Sequence, residues 1–137
     1  MKKLIRKSVS RNLWHNYYSV AKDNYRGAII NYENNLWTPA AILFVHTAIA
    51  YTDALTVKAG GVRSSSDDHL QVVSLVKQII FINDEDKTAL NRLMKILSEK
   101  SKVAYGGQMY SQSQAEKMMK NMERYQSWII DKINSIP

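Results

Sequence analysis

Between Ala40 and Ala54 the chain reads AAILFVHTAIAYTDA, and this stretch has almost no polar face in any helical register. A helix that is apolar nearly all round has to be wrapped by other helices or sit at a subunit interface. Ala40, Ala41, Ala48, Ala50 and Ala54 leave room for those neighbours to come close. The fold this demands is a bundle built around a central helix. The core of the stretch, Ala40 to Tyr51, is well short of the roughly 20 apolar residues that span a bilayer. It also contains His46, so it reads as a buried helix and no membrane partner is expected.

The rest of the chain supplies the wrapping helices. Trp14, Tyr17, Ala21, Tyr25, Ala28 and Tyr32 recur at spacings of three and four, which predicts a first helix over residues 10–34. Asn34-Asn35 marks a turn. Thr38-Pro39 is then read as N-cap and first helical residue of the second helix, which runs through Lys58 to a stop at Gly60-Gly61. A third helix is expected from about Ser66-Asp67-Asp68 onward. Its β-branched run from Val72 to Ile82 could form a strand, but no other strand candidate is legible to pair with it. A fourth helix, residues 85–104, is expected to bury Leu90, Leu93, Met94 and Leu97, and Gly106-Gly107 stops it. The fifth starts at Ser113, with Ser113 and Glu116 spaced as a capping box, and buries Ala115, Met118, Met122, Tyr125, Ile129 and Ile133. The predicted fold is an all-α, up-and-down bundle of about five helices. Its 137 residues suit one domain, read as 12–137 behind a basic arm of residues 1–11.

Charge and cysteine content narrow the chemistry. The net charge is +7, and Lys2, Lys3, Arg6, Lys7 and Arg11 form an N-terminal arm with no acidic residue among them. Such an arm can contact phosphates by releasing counterions, or remain a solvated, frayed end. The absence of cysteine excludes disulfides and thiolate zinc sites and suits a reducing cytoplasm. The segment after the charged start is too polar for a secretory h-region, which again points to the cytoplasm. No two histidines are spaced for a metal, and no phosphate-binding glycine loop follows a strand. No metal or cofactor is therefore expected. His46 is read as a satisfied core residue, His15 as surface, and the cations of the last helix as an ordinary solvated face.

One polar segment carries chemistry: Gly60-Gly-Val-Arg-Ser-Ser-Ser-Asp-Asp-His-Leu. Histidine near neutral pH can take a proton from a ribose 2′-hydroxyl, and arginine offers fixed donors to phosphate oxygens. Arg63 and His69 are the candidate catalytic pair, with Asp67 or Asp68 capping the helix or orienting the imidazole.

Several landmarks, taken in order, resemble the HEPN family of small helical-bundle proteins, over residues 18–133. Tyr17-Tyr18 and Tyr25 lie on the first helix, and Ala40-Ala-Ile-Leu-Phe-Val-His-Thr-Ala-Ile-Ala-Tyr51 forms the second. A glycine loop then leads to Asp68-His69-Leu70. Lys100-Ser-Lys-Val-Ala-Tyr105 follows, and Ser111-Gln-Ser-Gln-Ala115 opens a helix ending Tyr125-Gln-Ser-Trp128-Ile. The resemblance implies a homodimer. Its ribonuclease members use an arginine, four to six residues, then a histidine, a count Arg63 and His69 satisfy. In many of those members the motif lies on the later helix, where this chain has Lys100-Ser-Lys-Val-Ala-Tyr105 and no histidine. The resemblance therefore implies first a dimeric module that binds a nucleotide, RNA or a partner such as a nucleotidyltransferase, with Lys100, Lys102 and Tyr105 as contacts. Those lysines would alternatively offset a helix C-terminal dipole, with Tyr105 packing the next loop. The alternative function is a metal-independent endoribonuclease using Arg63 and His69.

Overall fold

A computed structural model describes residues 4–66, 68–104 and 107–137. The fold is an all-α bundle with one short ribbon. Strand β1 (Arg6–Ser8) and a 3-10 turn (Arg11–Leu13) precede α1 (Trp14–Glu33), α2 (Trp37–Gly60) and β2 (Val62–Ser64). Then come α3 (His69–Ile79), α4 (Asp84–Ser98), the single-turn α5 (Lys100–Ala104) and α6 (Gln112–Ser135).

Helix α2 is the axis of the bundle, packed by α1 and α6 along its length and by α3, α4 and α5 on the remaining side. It is longer than the apolar core suggests. By length and composition its 24 residues could cross a membrane, but 72% of its most apolar window is buried within this fold. Phe44, Tyr51 and Leu55 point into the centre, where Tyr125, Met122, Ile129 and Ile133 of α6 and Leu90, Leu93 and Ile96 of α4 meet them. Each large side chain buried here contributes about 1.5–3 kcal/mol of transfer free energy. Among the described residues no buried side-chain polar atom lacks a partner: Thr52 Oγ1, for one, lies 2.6 Å from the Tyr125 hydroxyl and also donates to the Ala48 carbonyl. The aromatic face of α1 and the six expected α6 residues are on the core side, as their periodicity requires.

Helix boundaries depart from the sequence reading where two signals compete. Leu36, not Thr38, precedes the first turn of α2, and the Thr38 hydroxyl accepts from Tyr110 N at 2.9 Å instead. Pro39 then sits third in the helix, where its missing N–H would also lack an intrahelical acceptor. The capping box of α6 is Ser111–Gln114, two residues before the expected Ser113–Glu116. Tyr110 is pinned by Thr38 and by its hydroxyl donating to Glu99, so the helix opens directly after it. Glu116 pairs with Lys120 at 3.2 Å. The expected fourth helix is broken at Glu99, whose carboxylate serves Tyr110 and Lys102, and α5 follows as a separate turn. Met94 is half-buried rather than buried.

The run from Val72 to Ile79 is helical, as preferred, yet a sheet exists where none was expected. Strands β1 and β2 pair antiparallel, with Arg6 opposite Ser64, Lys7 opposite Arg63 and Ser8 opposite Val62. The basic arm is thus part of the fold from Ile5 onward.

Candidate functional site

The end of α2 creates the site. Gly61 takes the left-handed conformation (φ 65°), donating its N–H to the Val57 carbonyl and closing the helix. A side chain there would be strained, and its Cβ would lie 3.2 Å from the Val9 carbonyl oxygen. The chain reverses into β2, which presents Arg63, then into a tight polar turn. In that turn Ser66 N donates to Ser64 Oγ (3.3 Å) and Asp68 N to Ser66 Oγ (3.0 Å). Asp68 Oδ1 accepts from Leu70 N at 2.9 Å and so caps α3, which makes His69 the first helical residue. Asp68 has the capping role expected of the acidic pair, whereas Asp67 lies outside the described residues.

These segments enclose a cavity of about 180 Å3. Arg63, Ser64–Ser66 and His69 form one wall and Lys100 of α5 another, while Asp53 of α2 lies at the floor beside Ile49. Arg63 and His69, separate in the sequence reading from Lys100, thus face the same space. Asp53 is only 8% exposed. Burial pushes its carboxyl up to about 7, and the Arg63 guanidinium offsets part of that rise. The cavity therefore holds two fixed-charge cations, an imidazole and a carboxyl that exchanges its proton near neutrality.

Sequence reasoning passed over Asp53. A signal was present: it is the only acidic residue of a helix that has no polar face to hold one. An ionisable group so placed must line a cavity or find a buried partner. His46 is corrected as well. It is exposed, not a core residue, and its pKa is lowered by partial desolvation and by the positive charge of Lys100.

The arm braces this site. Val9 N donates to the Gly61 carbonyl (2.8 Å), Ser65 N to the Ile5 carbonyl (3.2 Å), and Ile5 N to Oε1 of buried Gln71 (3.0 Å). Directly opposed residues of an antiparallel pair share a face, so Lys7 emerges beside Arg63. Arg11 is tied down: its Nε donates to the Lys58 carbonyl at 2.8 Å, closing the α2 terminus. Removing residues 1–9 is expected to raise hydrogen exchange at Val62–Ser65 by about a hundredfold or more, with α2 and α6 still protected. Exchange mass spectrometry checks this, and unchanged protection of β2 would contradict it.

The other sequence-derived contacts are dispersed. Lys102 pairs with Glu99 at 3.7 Å and lines a separate groove with Tyr110 and Lys117. Arg6 and Lys7 are exposed on β1. Lys2, Lys3 and Tyr105 lie outside the described residues. No protein-family model matches the chain, and no significantly similar protein is found among curated proteins.

Proposed function

We propose that this chain is a HEPN-like, dimeric module that binds a phosphate ester of a nucleotide or RNA in the cavity between α2, β2, α3 and α5. The observation that carries the reading is the convergence of Arg63, His69 and Lys100 on one cavity. Arginine grips phosphate oxygens with paired donors, and Ser64, Ser65 and Ser66 add hydroxyls along the same wall. The cavity is below the roughly 300 Å3 at which pockets for whole small molecules begin. It suits one phosphate group of a larger molecule lying across the surface. Lys7 beside Arg63 extends the positive charge along such a molecule. A partner protein such as a nucleotidyltransferase would dock over the same mouth, through Lys100.

A second reading, a metal-independent endoribonuclease, is favoured by Asp53. In that reaction the ribose 2′-oxygen attacks phosphorus as His69 takes its proton. Arg63 neutralises the pentacoordinate phosphate, and the P–O5′ bond breaks. The neutral carboxyl of Asp53, exchanging near pH 7, returns a proton to the departing 5′-oxygen. The products are a 2′,3′-cyclic phosphate and a 5′-hydroxyl.

Labelled single-stranded RNA incubated in EDTA with the wild-type chain, Arg63→Ala and His69→Ala separates the two readings. The binding module gives RNA retention without cleavage, weakened about tenfold or more in Arg63→Ala. The nuclease gives cyclic-phosphate ends that disappear in both variants. Neither retention nor cleavage by the wild-type chain would remove both readings.

A further inference from the structure

On the other side of α2 from Asp53 lies a larger groove of about 600 Å3, bounded by α1, α2 and α6. Tyr51 marks it, two residues before Asp53 and therefore about 200° around the helix axis. Nothing in the phosphate-ester reading uses this groove. Its volume falls within the roughly 300–1,000 Å3 of small-molecule sites.

The lining has two chemical parts. Tyr18 and Tyr51 meet edge to face, with ring centroids 5.6 Å apart at 81°, and Ile29 and Ile130 continue the apolar wall. Two of the polar atoms near the wall have internal partners. Tyr25 donates its hydroxyl to Glu123 at 2.5 Å, and Gln126 Nε2 donates to the Tyr51 hydroxyl at 3.0 Å. The second part is the rim, where Lys22 and Arg26 stand one helical turn apart on α1, both exposed. Lys22 Nζ lies 5.9 Å from the centroid of the Tyr18 ring, so positive charge and aromatic surface are contiguous. Among the described residues, neither cation has a carboxylate within ion-pair distance, although Asp23 shares the rim.

We infer that the α1–α2–α6 groove binds a small planar aromatic molecule carrying one anionic group, its ring against Tyr18, Ile29 and Ile130 and its anion between Lys22 and Arg26. Aromatic rings stack or pack edgewise on tyrosines, and the anion gives Lys22 and Arg26 the close ion-pair partner that neither has among the described residues. A nucleoside monophosphate and an aromatic carboxylate share that chemistry.

The test uses the full chain and anilinonaphthalene sulfonate, an aromatic anion whose fluorescence rises on binding. Wild-type protein is expected to bind it saturably. The Lys22→Glu/Arg26→Glu double variant should bind about tenfold more weakly with an unchanged melting temperature, and Arg63→Ala should bind normally. Arg26→Gln alone gives an intermediate loss and serves if the double variant melts early. Displacement by AMP assigns the site to nucleotides, and displacement by indole-3-acetate assigns it to aromatic carboxylates. Displacement by neither, or equal binding by the rim variants, overturns the inference. So does loss of binding in Arg63→Ala, or a probe excluded because two copies of the chain pair through this face.

Discussion

Asp86→Ala is expected to lower the melting temperature by roughly 10 °C, corresponding to about 3 kcal/mol. Asp86 is 2% exposed and ties the start of α4 to α6. One oxygen accepts from Trp128 Nε1 at 2.9 Å, and the other accepts from Asn83 N at 3.1 Å and meets Lys132 Nζ at 3.1 Å. The substitution removes the reciprocal half of the α4 capping box and leaves the Trp128 N–H and the Lys132 ammonium without their acceptor. Burial works against the charged form of Asp86, but the bonds from Trp128, Asn83 and Lys132 outweigh it and hold the carboxyl below its ordinary pKa. A depressed folded-state pKa contributes stability that is present above about pH 4 and lost as pH falls through the folded value. The difference between wild type and Asp86→Asn should therefore be constant near neutrality and shrink in acid. Thermal melts at pH 7 and pH 2.5 check both statements, and equal melting of the variants at pH 7 would contradict them.

The second large effect has the opposite sign. Asp53→Asn is expected to raise the melting temperature at pH 8 by roughly 5–10 °C and to change it little at pH 4. Burial raises the Asp53 carboxyl in the fold to about 7, whereas the unfolded chain ionises it near pH 4. The fold thus loses stability as pH rises from about 4 through 7, by up to about 4 kcal/mol, and then levels off. The isosteric amide cannot ionise and escapes this loss. Arg63 is half-exposed and can solvate its charge once Asp53 is gone. Under the nuclease reading proposed above, where Asp53 returns the proton, the stabilised variant should also cleave RNA more slowly. Melting curves from pH 4 to 8 decide the matter, and a variant less stable than wild type at pH 8 would refute it.

Much of the bundle is written in local patterns. The absence of a polar face on α2 puts it at the centre, and the three-and-four spacing of α1 and α6 sets which residues they bury. Glycine at position 61 ends α2 because few other residues accept its backbone. The choice between overlapping caps was not legible. Ser111–Gln114 and Ser113–Glu116 both satisfy the capping spacing, and only the anchoring of Tyr110 by Thr38, 72 positions away, selects the first. Nor could the β ribbon be read, since neither Arg-Lys-Ser nor Val-Arg-Ser carries the period-two alternation of a half-buried strand.

The site divides in the same way. Arg63 and His69 were singled out by residue type and spacing, Lys100 only through the family resemblance, and Asp68 by its position before a helix. Their meeting in one cavity with Asp53 depends on how α5 and the β2 turn lie across α2. The sequence by itself determined the helices, their buried faces and the stock of cations and histidines, because these follow from interactions within a few residues. Tertiary structure alone decided that the basic arm braces Arg63 and that Asp53 keeps its proton near neutrality. Both depend on burial and on contacts between segments tens of residues apart, and no local pattern encodes them.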